Sequence, residues 1–136
     1  MPIMNWDASL DIGVPAMNRE HQDILEAMNR IYDAKEQGLA GASVNNLVAR
    51  LGQVCVSHFA DEEAFMERVG YPDLSRHKQL HEKLLGQFNA HAGTIRAAGG
   101  VPHDEFFHFL KFWLTSHIKG IDVKYGQHAQ AQPTRA

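Results

Sequence analysis

Seven polar residues interrupt the apolar faces of the amphipathic segments in this 136-residue chain. A desolvated polar or charged group costs several kcal/mol unless a partner satisfies it, so burying seven of them together requires a common partner. A metal ion satisfies imidazole nitrogens and carboxylate oxygens at once. The number of ligands therefore predicts a dinuclear metal centre inside a helical protein, formed by His21, His58, Glu62, His77, His81, His117 and Asp122.

Apolar residues recur at helical spacing in four stretches of the chain. Residues 38–41, 70–73 and 99–102 separate these stretches and carry glycine or proline, which end helices. Four amphipathic helices joined by short loops predict an all-α fold, an up-down-up-down antiparallel four-helix bundle. Regular apolar positions of the four stretches are Ile24, Met28 and Ile31, then Val48, Leu51 and Cys55, then Leu84 and Phe88, then Phe106, Leu110 and Trp113.

The sequence predicts a single domain over residues 1–136, with an extended arm at one end and a frayed tail at the other. Residues 1–18 contain two prolines and show little periodicity, so we expect an N-terminal arm that Trp6 closes against the bundle. Residues 126–136 are rich in glutamine and alanine and contain Pro133, so we expect a frayed C-terminal tail.

Composition argues against several classes of partner. Hydrophobic residues make up 44% of the chain and the net charge is −3, which is typical of a soluble globular protein without a basic surface for nucleic acid. No apolar run approaches the roughly 20 residues that span a membrane, and the start of the chain lacks a secretory signal. The single cysteine, Cys55, is predicted to be a small buried core residue. We expect a cytoplasmic protein that binds neither membranes nor nucleic acid.

The up-down topology brings all seven polar residues to one end of the bundle. The first and third helices start at this end, and the second and fourth helices finish there. Each of the seven lies within about eight residues of that end, which is roughly 12 Å of helix rise. Because a random placement would scatter them along the bundle, the shared end supports a common site.

Local spacing also favours convergence of the side chains. His58 and Glu62 are four residues apart, as are His77 and His81, so each pair occupies one helical face. Asp122 follows His117 by five residues, which on an α-helix displaces it by about 140°. We therefore predict a π-type turn or a distorted helix end around Gly120 that brings Asp122 inward.

The donor set combines imidazole with carboxylate and lacks thiolate, which suits iron, zinc or manganese. Histidine outnumbers carboxylate, unlike in the carboxylate-rich ferritin-like sites, and this favours reversible ligand binding over high-valent oxidation. The chain has no His-Glu-x-x-His zinc-protease motif and no Gly-x-Ser-x-Gly motif. We therefore predict no catalytic residues and a protein that is not an enzyme.

Three motifs of this chain resemble those of the hemerythrins, specifically the single-domain bacteriohemerythrins. The resemblance runs from the Trp6 arm to about Tyr125, and identifies residues 1–136 as a single hemerythrin-like domain. One departure is the segment at residues 17–21, where relatives often have Asp and Gln near the histidine; the histidine itself is kept. The motifs are His58-Phe59-x-x-Glu62-Glu63-x-x-Met66, His77-x-x-x-His81 and Trp113-Leu114-x-x-His117-Ile118-x-x-x-Asp122.

The resemblance implies a non-haem di-iron centre that binds O2 reversibly, with two iron ions (Fe2+/Fe3+) and a bridging oxo or hydroxo group. It implies O2 storage, delivery or buffering as the function, with an O2-consuming enzyme as a candidate acceptor, and we expect a monomer. It also implies how the ligands divide: His77, His81 and His117 on one iron, His21 and His58 on the other, and Glu62 and Asp122 bridging both.

Two alternative functions remain open for the same fold. The first is an O2 or redox sensor that acts through a partner, and the second is a di-iron enzyme that reduces peroxide or nitric oxide. Iron storage is disfavoured because two ions per chain is little capacity.

An apolar pocket beside the centre would favour O2 binding. For each candidate wall residue, packing in the core is the alternative interpretation. The candidate wall residues are Ile24, Phe59, Met66, Trp113 and Leu114.

The remaining polar residues near these motifs have simpler interpretations. Glu63 lies five residues after His58, so we expect it to be solvated rather than to compete with Glu62. The histidines away from the cluster are expected at the surface, namely His91, His103, His108 and His128.

Overall fold

The structure is a computed structural model in which residues 4–131 are described. It contains four long helices, α1 (Pro15–Glu36), α2 (Ala42–Arg68), α3 (Leu74–Ala97) and α4 (Asp104–His117). A π-helical turn (Ile118–Asp122) and a final helix α5 (Val123–Ala131) continue α4. No strand occurs between residues 4 and 131, and the predicted all-α four-helix bundle is confirmed.

Two loops meet at the end of the bundle that lies away from the seven polar residues. The Gly41 amide, in the α1–α2 loop, donates to the Gly99 carbonyl, in the α3–α4 loop, at 2.9 Å. A Cβ atom on Gly100 would come within 2.4 Å of the Gly41 backbone, so only glycine permits this approach. Since these two loops share one end, the helices alternate in direction.

The half of the bundle next to these loops has an apolar core. Ile31, Leu51, Ile95, Phe106 and Leu110 are each 0% exposed, one or two from every long helix. Burying a side chain of this size stabilises the fold by about 1.5–3 kcal/mol. Cys55 is also buried, as predicted.

The N-terminal arm is shorter than predicted and more firmly packed. Residues 15–18, predicted as its last part, are the first turn of α1, because Pro15 suits the first position of a helix. Trp6 is half-buried and packs against the core, as expected. The arm also buries three apolar side chains that the sequence pattern did not single out, Leu10, Ile12 and Val14.

The predicted frayed tail is wrong for residues 126–131, which belong to α5. The His128 ring donates from Nε2 to the Val69 carbonyl at 3.0 Å, and the Gln130 amide donates to the Gly13 carbonyl at 3.2 Å. A Cβ on Gly126 would come within 2.1 Å of the Ile12 carbonyl oxygen, so the arm crosses directly over this helix. Residues 132–136, the rest of the predicted tail, lie outside the described residues.

Within the described part of the chain, no helix combines the length and apolar character needed to cross a membrane.

Candidate metal centre

The seven polar residues meet at one end of the bundle, where all are buried, with exposures between 0% and 6%. They form two groups that share a carboxylate. Within each group, one nitrogen or oxygen atom from every residue lies within 4.8 Å of the others. The first group is Glu62, His77, His81 and His117, and the second is His21, His58, Glu62 and Asp122.

The two pairs with four-residue spacing converge as predicted. On α3, the rings of His77 and His81 lie 4.5 Å apart between centroids. On α2, His58 Nε2 is 3.1 Å from the Oε2 atom of Glu62. The opposite oxygen of Glu62, Oε1, is 2.9 Å from His81 Nε2. Two adjacent helices therefore present their ligand-type atoms to the same small volume.

Asp122 reaches the centre because the helix widens after His117. Residues Ile118–Asp122 form the π-helical turn, in agreement with the prediction. Asp122 Oδ1 lies 3.0 Å from the Nε2 atoms of both His77 and His117. A Cβ at Gly120 would meet nothing within 4 Å, so glycine is not needed here for space. The wide turn instead accommodates the extra residue between the two side chains.

Glu62 and Asp122 each connect the two groups of histidines. Glu62 Oε2 is 3.2 Å from His21 Nε2, whereas its Oε1 faces His81. Asp122 Oδ2 is 3.1 Å from His21 Nε2, whereas its Oδ1 faces His77 and His117. A carboxylate with one oxygen toward each group is suited to bridge two cations.

Several of these atoms are close together but do not share hydrogen bonds. Among the described residues, seven buried atoms of these side chains lack a hydrogen-bond partner; one is His21 Nδ1, and the other six make the short contacts within the centre described above. Each of these six atoms can present a lone pair, and a buried lone pair without a donor is costly. Metal ions accept lone pairs from imidazole and carboxylate together, and the donor set fits them. The six atoms are Glu62 Oε1, both Asp122 oxygens, and Nε2 of His77, His81 and His117.

Electrostatics favours the charged form of several groups in the centre. Burial raises the pKa of the Glu62 carboxyl, but the contacts with His58 and His21 outweigh burial and hold that pKa well below its usual range. Burial and the neighbouring Glu62 raise the pKa of Asp122, but the contacts with His117 and His21 lower it by more. The net pKa of Asp122 is therefore below its usual value. Burial lowers the pKa of His58, and the neighbouring Glu62 and Glu20 raise it to about 10. Without metal, protons therefore occupy nitrogens that a metal ion would need.

Two glutamates lie behind the centre and were not predicted there. The His58 ring donates from Nδ1 to Glu20 Oε1 at 2.7 Å, and the His81 ring donates from Nδ1 to Glu63 Oε2 at 2.9 Å. The expectation that Glu63 is simply solvated is therefore wrong. The one sequence signal is that each glutamate is next to a predicted ligand in the chain. This signal is weak, because the histidine that each glutamate contacts lies on another helix.

Tyr125 is a third residue that the sequence analysis missed. It is fully buried, and its hydroxyl donates to Glu62 Oε2 at 2.7 Å. Burial raises the pKa of this phenol, so the hydroxyl keeps its proton. Its sequence signal is helical spacing, since Tyr125 follows Asp122 by three residues and residues three apart are neighbours on a helix surface.

A small cavity adjoins the centre, with room for about one water-sized molecule. Apart from the centre's own histidines and Asp122, its lining is apolar, and Ile24, Phe59, Trp113, Leu114 and Ile118 form it. Four of the five predicted wall residues are among them. Met66 is the exception, because it is fully buried and does not line this cavity.

The histidines outside the cluster have varied surroundings. His91 Nδ1 and His103 Nε2 are 2.8 Å apart and both rings are half-buried, which differs from the predicted surface position. His128 is also half-buried and anchors α5, whereas His108 is exposed as predicted.

Comparison with known proteins gives the family. The family described as the hemerythrin HHE cation binding domain matches residues 12–129. Bacteriohemerythrin of Stenotrophomonas maltophilia is 30% identical to this chain, with 96% of this chain and 84% of the relative covered. Bacteriohemerythrin of Pseudomonas aeruginosa is 32% identical, with 88% and 77% covered.

A crystal structure of wild-type hemerythrin has a TM-score of 0.82 and 27% identity, and the match covers 94% of this chain and 98% of that one. The matched fold, the matched sequence and the buried cluster of cation ligands agree with one another. The chain belongs to the hemerythrin family, the O2-binding di-iron proteins that its motifs resemble.

Proposed function

We propose that this protein binds O2 reversibly at its di-iron centre and serves O2 storage, delivery or buffering without catalytic turnover. The observation that carries the proposal is the apolar cavity beside the centre. It touches His21 and His58 directly, and apart from residues of the centre the one N–H or O–H group among its lining side chains is the Trp113 indole. An apolar pocket beside the predicted metal ligands suits a small apolar molecule.

The distances support a division of ligands between two ions. One iron would be held by His77, His81 and His117, and the other by His21 and His58. Glu62 and Asp122 would be shared, since each has one oxygen toward either group. The group with two histidines would supply fewer protein ligands to its ion, and its residues His21 and His58 line the cavity that O2 would enter.

The chain's own residues have two tasks in this function. When bound, the two ferrous ions supply the electrons that O2 takes up and returns. Ile24, Phe59 and Trp113 exclude water from the cavity, which protects bound O2 from protonation and loss. Tyr125 holds Glu62 in place with a hydrogen bond and keeps its own proton. Phe59 also stacks on the His81 ring, with 3.9 Å between centroids, and fixes its orientation.

The test is an optical spectrum of the iron-loaded, reduced protein before air, after air and after O2 is removed. We expect a visible absorption band that appears with air and disappears on deoxygenation. Permanent oxidation on first contact with air would contradict the carrier function and favour the enzyme or sensor alternatives.

A matched pair of variants tests the role of the cavity wall. Ile24→Thr places a hydroxyl in the cavity, so the oxygenated form should decay to the oxidised form several times faster. Ile31→Thr is the control, because Ile31 is equally buried on the same helix but lies in the opposite half of the bundle. Equal decay rates in the two variants would show that the cavity wall does not protect bound O2.

A further inference from the structure

Each half of the centre contains one histidine that donates to a carboxylate behind it. In the first group His81 donates to Glu63, and in the second His58 donates to Glu20. A neutral imidazole carries a single ring proton, so donation from Nδ1 leaves the Nε2 lone pair facing the centre. The two contacts therefore select the tautomer that a metal ion at the centre requires.

These contacts differ from ordinary surface ion pairs. Both histidine side chains are 2% exposed, and the glutamates are 26% and 27% exposed. Each contact also crosses between helices, with Glu20 on α1 reaching α2 and Glu63 on α2 reaching α3. Glu62 and Glu63 are consecutive residues, yet the first contacts the Nε2 side of His81 and the second contacts its Nδ1 side.

We infer that Glu20 and Glu63 are positioning residues, each of which tunes one of the two metal ions through a single histidine. Glu63 would act on the ion held by His77, His81 and His117, and Glu20 on the ion beside the cavity. A carboxylate behind a ligating imidazole fixes its ring and increases its donor strength, and loss of such a partner lowers metal affinity about 10- to 100-fold. The inference rests on the ligand division proposed above.

Paired substitutions separate the charge from the hydrogen bond. Glu63→Gln keeps an oxygen that can accept from Nδ1 but removes the negative charge, whereas Glu63→Ala removes both. The same pair is made at position 20. Glu82→Gln is the control, because Glu82 follows His81 directly but is exposed. Circular dichroism checks that every variant remains folded, as expected for side chains that are partly in solvent.

The experiment titrates each Fe2+-loaded protein anaerobically with a chromogenic ferrous chelator. Wild type and Glu82→Gln should release two ions at high chelator concentration. Each glutamine variant should release one of its two ions about tenfold more easily, and each alanine variant more easily still, up to about 100-fold. Variants that release both ions as wild type does would overturn the inference.

Proton NMR of the same samples identifies the affected histidine. Nδ1 protons of iron-bound imidazoles give shifted signals that exchange with solvent. Glu20→Gln should move or broaden one such signal and Glu63→Gln a different one, whereas a merely structural tie between helices would leave these signals in place. Equal weakening of both ions in a folded single variant would also overturn the inference. A wild-type protein that fails to hold two irons would instead contradict the proposed function.

Discussion

The two ends of the bundle are built from the same four helices but bury different kinds of side chain. At the loop end the core is apolar, and residues such as Leu51 and Phe106 are completely buried there. At the ligand end seven polar groups are equally buried, and several of their atoms have no hydrogen-bond partner within residues 4–131. Burial stabilises the first end directly, whereas the second end is satisfied only when cations are bound.

The apolar end of the bundle positions the site at the other end. The apolar end can hold the helices in register without metal, so the ligands at the other end are pre-positioned. The arm and α5 reinforce the ligand end from outside, since Gly126 packs against Ile12 and Gln130 donates to Gly13. We expect the metal-free protein to be folded, with the centre as its least stable region.

Among single substitutions, we expect the greatest loss of stability at the apolar end. Phe106→Ala should lower the free energy of unfolding by about 3–5 kcal/mol, because it removes a fully buried ring and leaves a cavity. The loss should be the same with and without iron, as measured by urea denaturation. Phe112→Ala on the same helix is the control, since Phe112 is 74% exposed and should cost almost nothing. An iron-dependent loss in Phe106→Ala would show that the two ends are not independent.

Removal of metal tests the ligand end. At free iron 1,000 times above its dissociation constant, bound metal stabilises a folded protein by about 4 kcal/mol per site. Anaerobic unfolding with and without Fe2+ should show this difference, and Phe106→Ala should change it by less than about 0.5 kcal/mol, as for distant sites. A protein equally stable in both forms would contradict metal binding at the buried cluster.

The pH dependence of the metal-free protein should include a large contribution from its ligand end. The pKa of His58 is raised from 6.5 to about 10, so its stabilising contribution is complete below pH 6.5 and disappears as pH rises through 10. The pKa of Glu62 is lowered from 4.5, so its contribution is present above pH 4.5 and disappears as pH falls. Unfolding measured across pH should show maximum stability between these limits. His58→Gln should reduce the alkaline decline, to which His21 and His117 also contribute through their raised pKa values, and His91→Gln should leave it unchanged.

The smallest expected effect concerns the π-helical turn. Deletion of the exposed Lys119 places Asp122 four residues after His117, so an ordinary α-helix would put both on one face. We expect this variant to retain two metal ions. Its affinity for metal should be within about tenfold of wild type, which is the lower end of the losses caused by changing residues around metal ligands. Deletion of exposed Ser116 is the control, because it rotates His117 itself away from the centre, and it should lose metal. Loss of metal in the Lys119 deletion would show that the wide turn is itself required.

Sequence reasoning succeeded where a regular helical period carries the information. The pairs His58–Glu62 and His77–His81 could be placed from spacing alone, and the five-residue spacing of His117 and Asp122 itself required a wider turn. The four helices follow from the apolar period and the loop residues.

The parts that could not be predicted depend on contacts between helices or lack a period. Glu20 and Glu63 act on histidines of neighbouring helices, and a single-helix pattern does not show which exposed-looking glutamate faces one. The buried arm residues alternate over too short a stretch to be distinguished from a loop. The polar composition of α5 suggested fraying, but His128 and Gln130 hydrogen-bond to the body of the protein.

The most direct test of the di-iron centre is a crystal structure of the iron-loaded protein with anomalous diffraction measured at the iron absorption edge. We predict two peaks per chain, one among His77, His81 and His117 and one beside His21 and His58, with Glu62 and Asp122 in contact with both. A single peak, or peaks elsewhere such as at the His91–His103 pair, would contradict the assignment of these seven residues to two irons.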